Sequence, residues 1–236
     1  MITNDLKTNK PLLRQVDKYP DIPKALPHQR YAPGTDAEQL YLIRFFDCII
    51  SISSIILLSP LLLLIAVLIK ITSKGSIIFA QKRVGKNEVD FTLYKFRTMR
   101  EDAAEAGSLT IDSHDSRITT LGFFLRKHKL DELPQLYNVL RNEMSMVGPR
   151  PEVRKYVNFY SEAQRQMLRI KPGITDYASI KFRNENELLA LQLHPEDYYI
   201  KEIIPLKIEL NKQYAYNRTV KKYFTVIVKT FLLFFD

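Results

Sequence analysis

The stretch from Ile49 to Ile69 constrains this chain more than any other. It runs 21 residues without a charge and is nearly all aliphatic. At about 1.5 Å per residue, a straight helix of that length spans the roughly 30 Å hydrocarbon core of a bilayer. Ser59-Pro60 sits near its middle, and a proline there removes a backbone hydrogen bond and bends the helix. Two readings are open: a kinked span, tolerated where neighbouring groups re-satisfy the freed backbone, or a re-entrant hairpin that returns to the face it left. Arg44 and Asp47 precede the run, and Lys70, Lys74, Lys82, Arg83 and Lys86 follow it. These trailing cations put the downstream domain in the cytoplasm under either reading.

The chain divides around this segment. Residues 1–40 carry five prolines among mixed charges, a density that blocks helix and central strand alike, so they read as a flexible tail. Residues 41–72 read as the membrane helix and residues 73–236 as a cytoplasmic domain. Six basic and five acidic residues in 1–40 leave +8 of the formal +9 on the rest, which favours anionic partners. A single cysteine and four scattered histidines exclude a disulfide framework and argue against a zinc site.

In the domain, 76–99 reads as a hairpin turning at Gly85-Lys86-Asn87. Period two puts Phe91, Leu93, Lys95 and Arg97 on one face, two cations at one end of it. Residues 130–141 and 151–170 read as amphipathic helices, the second with Pro151 in its first turn. Residues 186–236 are mostly helical and end in an apolar tail that suits either lipid or the core.

The chemistry gathers at Lys129-Leu130-Asp131-Glu132-Leu133-Pro134. Pro134 is tolerated only in a helix's first turn, which puts both carboxylates at a helix start. Free N–H groups there stabilise a carboxylate and receive phosphate. An ionised aspartate beside a cation-screened phosphate suits nucleophilic attack on phosphorus. A plain N-cap explains the same spacing. Arg126 to Lys129, the stiff turn Gly148-Pro149-Arg150-Pro151, and Lys171-Pro172-Gly173 with Lys181 and Arg183 supply cations, and arginine suits bidentate phosphate recognition.

The strings Arg44-Phe-Phe-Asp47, Ser59-Pro60, Gln81-Lys-Arg-Val-Gly85, Tyr94-Lys-Phe-Arg-Thr-Met99, Asp115-Ser-Arg-Ile-Thr119, Leu130-Asp-Glu-Leu-Pro-Gln135, Asn138-Val-Leu140, Met144-Ser-Met-Val-Gly-Pro-Arg-Pro151 and Pro172-Gly-Ile-Thr175 stand in order. Together they resemble the bacterial sugar transferases, small monotopic phosphoglycosyl transferases acting on polyprenyl phosphates. The likeness runs from about Leu42 to about Leu233. It implies a re-entrant membrane helix built on Arg44, Asp47, Ser59 and Pro60. It implies Asp131 as nucleophile toward a UDP-sugar, with UMP released, a phosphosugar-aspartate intermediate and a polyprenyl-diphospho-sugar product. Glu132 would be its partner. Magnesium would sit at Asp131, and Arg126, Lys95, Arg97, Arg117, Arg150, Lys171, Arg183 and Asn184 would contact substrate. The implied setting is the bacterial inner membrane, with lipid contacts, no nucleic acid, and a homodimer allowed.

Departures from the family pattern fall at Lys129, at Asp176 to Ser179 and at Phe182-Arg183-Asn184, which leaves open which sugar the resemblance implies. Two rivals make other predictions: a glycosyltransferase moving sugar without phosphate, and a basic membrane-tethered scaffold needing none of these strings. The expected fold is an α-rich, irregular α/β arrangement: a membrane helix-break-helix, a small sheet and several interfacial amphipathic helices.

Overall fold

Helix α1, Ala37–Thr72, carries the whole apolar run and starts inside the segment read as a tail. The computed structural model describes residues 36–100 and 115–233, so the rest of that tail lies outside the described residues. Helical backbone continues through Pro60; the expected break is absent. The reason is local. Pro60 cannot donate to the carbonyl of Ile56, and Ser59 Oγ donates to that same oxygen at 2.8 Å. The Ser-Pro pair thus closes the gap that proline opens.

Both halves of α1 pack against the remainder of the protein. Ile43, Phe46 and Ile50 join one apolar cluster, and Leu61, Ile65 and Ile69 join another. Ile52, Ile56 and Leu57 between them, with Leu63 and Leu64, stay exposed. Arg44 and Asp47 fix the first half. Arg44 donates to Val139 O at 2.6 Å and Leu140 O at 2.9 Å. Asp47, 1% exposed, accepts from Ser145 Oγ at 3.0 Å, Met146 N at 2.8 Å and Tyr223 Oη at 3.0 Å.

Strands β1 (Ile78–Val84) and β2 (Asp90–Phe96) pair antiparallel, Ile78 opposite Phe96 and Val84 opposite Asp90. The hairpin turn falls where expected, with Asn87 and Glu88 at positive φ. Phe91 and Leu93 pack on Val139 and Met144, while Phe96 faces Ile65, Ile69 and Leu125. Helix α2 (Thr120–Lys127) is capped by Thr119, which accepts from Gly122 N at 2.9 Å. A 3-10 turn at Leu130–Glu132 leads into α3 (Gln135–Leu140). Strand β3 (Ser145–Val147) pairs in parallel with β4 (Gly173–Thr175), Ser145 beside Gly173 and Val147 beside Thr175.

The helix expected over 151–170 is replaced by α4 (Arg154–Val157), α5 (Glu162–Arg165) and a 3-10 turn at Gln166–Arg169. Two ties hold Pro151 and Glu152 extended: Arg83 Nη1 donates to Pro151 O at 3.0 Å and Val84 N to Glu152 O at 2.9 Å. Ser161 then starts α5 afresh with a capping box. Short helices α6 (Tyr177–Lys181), α7 (Glu185–Ala190) and α8 (Pro195–Tyr198) and a π-helical turn at Tyr199–Ile203 lead into α9 (Ile204–Ala215). They enclose the largest apolar core, around Met167, Leu189, Ile203 and Ile208. Helix α10 (Val220–Leu232) buries Tyr223 and Val226 and exposes Val228, Phe231 and Leu232. The apolar tail therefore meets the core on one face and the surroundings on the other. The expected α-rich chain with little sheet and one long apolar helix is what the structure shows.

Candidate active site

The 3-10 turn at Leu130–Glu132 holds the two carboxylates apart. Lys129, at φ 55°, reverses the chain out of α2. Asp131 is 6% exposed, and its Oδ1 has no hydrogen-bond partner. Burial pushes its carboxyl above the usual aspartate range, and the Glu132 charge pushes the same way, against Lys95, Arg126 and Lys129. Glu132 is the opposite case. Lys95 Nζ reaches its Oε1 at 3.0 Å, Arg150 Nη1 reaches its Oε2 at 3.1 Å, and Arg150 Nη2 also bonds Oε1. Burial opposes its ionisation, but the Arg150 and Lys95 charges overcome it and hold the carboxyl well below its normal value.

Each cation is itself positioned. Lys95 projects from β2, with burial lowering its ammonium and Glu132 opposing that. Arg150 follows β3, and its backbone N–H donates to Asp176 Oδ2 at 2.7 Å. Asn211 Nδ2 donates to the same oxygen at 2.9 Å. Gly148 and Gly173 allow the β3–β4 approach that sets this turn: a Cβ on Gly173 would fall 2.1 Å from Gly148 N. Arg126, on α2, donates to Thr98 Oγ1 at 2.8 Å, and its charge acts on Asp131. Helix α3 is only six residues long, so the side-chain cations outweigh its dipole as the source of positive potential here.

This arrangement has one buried carboxylate oxygen left open and a second carboxylate saturated by cations. The family model described as "Bacterial sugar transferase" matches residues 38–236. The chain belongs to that family. Among curated members, it is 39% identical over 166 residues to a UDP-N-acetylgalactosamine-undecaprenyl-phosphate N-acetylgalactosaminephosphotransferase of Aeromonas hydrophila, covering 68% of this chain and 39% of that protein. It is 43% identical over 150 residues to a UDP-glucose:undecaprenyl-phosphate glucose-1-phosphate transferase of Klebsiella pneumoniae, covering 62% and 32%. With the exopolysaccharide production protein ExoY of Sinorhizobium fredii, identity is 40% over 157 residues, covering 60% and 70%. The matched part is thus well under half of two of these relatives.

The other residues picked out for this sugar transferase fall in different surroundings. Arg97 donates from Nη2 to Ser73 O at 2.9 Å and Ser73 Oγ at 2.8 Å, tying β2 to the end of α1. Its Nε and Nη1 are buried without a partner. Arg117 forms an ion pair with Asp115. Lys171 bonds Asn142 Oδ1, and the charges acting on it are those of Arg44, Asp47 and Lys86, not of the Asp131 site. Arg183 and Asn184 are exposed just before α7, and neither hydrogen-bonds the dyad. Sequence reasoning passed over Arg83, whose half-buried guanidinium lies in the field of Glu152, Arg150 and Glu132. It also passed over Asp176 as the anchor of Arg150. Asn138 entered only within the string Asn138-Val-Leu140, with no role of its own. Asn138 accepts from Tyr94 N at 3.1 Å and donates to Thr92 O at 2.7 Å, fixing α3 on β2. Its place one helical turn beyond Pro134 was the available signal.

Proposed function

We propose that this chain transfers a sugar-1-phosphate from a UDP-sugar to polyprenyl phosphate, with Asp131 as the nucleophile. The carrying observation is the division of labour in the dyad: Asp131 keeps a buried oxygen unpartnered while both Glu132 oxygens are engaged by Arg150 and Lys95. An Asp131 oxygen would attack the phosphorus that bears the sugar. The bond from that phosphorus to the bridging oxygen breaks, and UMP leaves with that oxygen. A phosphate oxygen of the polyprenol then attacks the same phosphorus and frees the Asp131 carboxylate, giving the diphosphate. The relatives' names support this donor and acceptor, and they differ in the sugar.

Glu132 is a poor base here, because a carboxyl held this low takes up protons weakly. Its charge instead holds Lys95 and Arg150 at the site, where they screen incoming phosphate. The unpartnered Gln135 Nε2 offers a further donor. Magnesium fits as a substrate-borne ion. Among the described residues no cluster of three ligating side chains exists, and this metal is held by one or two carboxylates with substrate phosphates and waters. Asp131 Oδ1 is the hard oxygen available, and the ion would neutralise diphosphate charge.

The membrane setting follows the same reading. Both halves of α1 pack on the body that carries the dyad. A helix crossing the bilayer would separate its ends by about 30 Å of lipid, so this packing favours a helix whose two ends stay on one face, bent near Ser59-Pro60 without leaving helical geometry, with the domain on the cytoplasmic face. The test is intact-mass analysis of the full chain in detergent with magnesium and a panel of UDP-sugars, without acceptor. A phosphosugar adduct on wild type and none on Asp131→Asn is expected. A panel that gives neither an adduct nor UMP release with polyprenyl phosphate added refutes the transferase.

A further inference from the structure

A second basic cavity lies away from the dyad. It has a volume of about 140 Å³ and sits where the first turns of α1 meet the β3–β4 end and the α9–α10 connection. At about 30 Å³ per water it has room for a tetrahedral anion and its waters. Arg44, Lys86, Lys171 and Arg218 line it with one carboxylate, Asp47, so its wall is predominantly basic. Asp47 Oδ1 is held by Ser145 Oγ, Met146 N and Tyr223 Oη, which fixes the one carboxylate at the edge of the cavity. Burial and then the Arg44 and Lys86 charges depress the Lys171 ammonium, and Asp47 offsets them only in part. The transferase chemistry uses none of Arg44, Lys86 or Arg218.

We propose that this cavity binds a phosphate-type anion. Its level on α1 points to the source. Ile43, Arg44 and Asp47 immediately precede the apolar run at Ile49, and Tyr41 and Phe45 beside them are exposed. That is the headgroup level of a helix entering lipid, where basic pockets take anionic headgroups. The shared chemistry is a phosphate group, carried by an anionic glycerophospholipid or free in solution. The anion site stands whether or not Asp131 is a nucleophile, because no residue of the dyad takes part.

The experiment is calorimetric titration of the full chain in neutral detergent with three probes: inorganic phosphate, dihexanoyl phosphatidylglycerol and dihexanoyl phosphatidylcholine. Wild type is compared with Lys86→Gln, an exposed side chain whose loss spares the core. Loss of one charge-assisted contact weakens binding about fivefold or more. Weakening of phosphatidylglycerol alone supports the site and assigns it to the headgroup. Weakening of phosphate alone supports a free-anion site, and weakening of both shows that the phosphate group is what is read. Phosphatidylcholine binding as tightly as phosphatidylglycerol, or Lys86→Gln leaving every probe unchanged, overturns the proposal. Phosphate held only at the Asp131 site gives that last result.

Discussion

Replacing Arg150 with methionine isolates the force that keeps Glu132 ionised. The Glu132 side chain is 11% exposed, Lys95 19% and Arg150 33%. Removing one partner of a buried pair costs about 3–5 kcal/mol. Arg150 is a third exposed and Lys95 remains, so solvent screening reduces this to about 2–3 kcal/mol. For a chain of this size that is a melting shift of roughly 5–10 °C. The chain has no tryptophan, so far-ultraviolet circular dichroism in detergent is the assay. The sign with pH is fixed by direction. A carboxyl held below 4.5 gives stability that is present above that value and lost as pH falls through the lower, folded value. Without Arg150, burial raises the Glu132 carboxyl and that contribution shrinks. The gap between wild type and Arg150→Met is therefore widest near neutrality, narrows as pH falls through 4.5, and closes only below the depressed folded value of Glu132. In a double-mutant cycle with Glu132→Gln the coupling should be about 2 kcal/mol. A gap that does not change with pH, together with a coupling under about 0.5 kcal/mol, refutes the reasoning.

Asp131→Asn should stabilise the protein near pH 7 by on the order of 1 kcal/mol while removing transfer. Its raised carboxyl costs stability once ionised, so the gain should vanish below the unperturbed value of 3.8; melting curves at pH 7 and pH 3.5 decide it. Gly173→Ala places a methyl 2.1 Å from Gly148 N, and overpacking of about 1–3 kcal/mol should part β3 from β4. Since Gly173 N bonds Pro149 O, kcat should fall with stability as Arg150 shifts. Ser59→Ala leaves Ile56 O without its partner and should cost about 1–2 kcal/mol in lipid discs. Ser59→Thr should restore it, and equal melting of all three would exclude the closure at Pro60.

The elements governed by local patterning were legible in the sequence. The hairpin at Gly85-Lys86-Asn87, the carboxylates ahead of Pro134 and the long apolar helix follow from turn chemistry, proline restriction and composition. What was not legible depends on partners distant in sequence. The 151–170 region has helical periodicity, but Arg83 and Val84, almost seventy residues earlier, pull Pro151 and Glu152 into an extended path. Arg97 and Lys95 share a strand face by period two, yet Arg97 lies at the strand's edge beside Ser73 and anchors α1, while Lys95 meets Glu132. Lys171 and Arg150 come from similar proline turns, and only the β3–β4 pairing decides that Arg150 alone reaches the dyad. The break expected at Pro60 failed for a local reason, the hydroxyl of the residue beside it.

Asp47 also bears on the order in which the protein is made. Its carboxylate lies just before the lipid-soluble run, and its partners Ser145, Met146 and Tyr223 are 98, 99 and 176 residues further along. On the ribosome, the apolar run of α1 emerges long before any of them. Until α10 is synthesised, this charge has water as its best solvent, which holds the start of α1 at the bilayer surface. Final seating of the start of α1 therefore waits on α10, the helix that brings Tyr223 to Asp47.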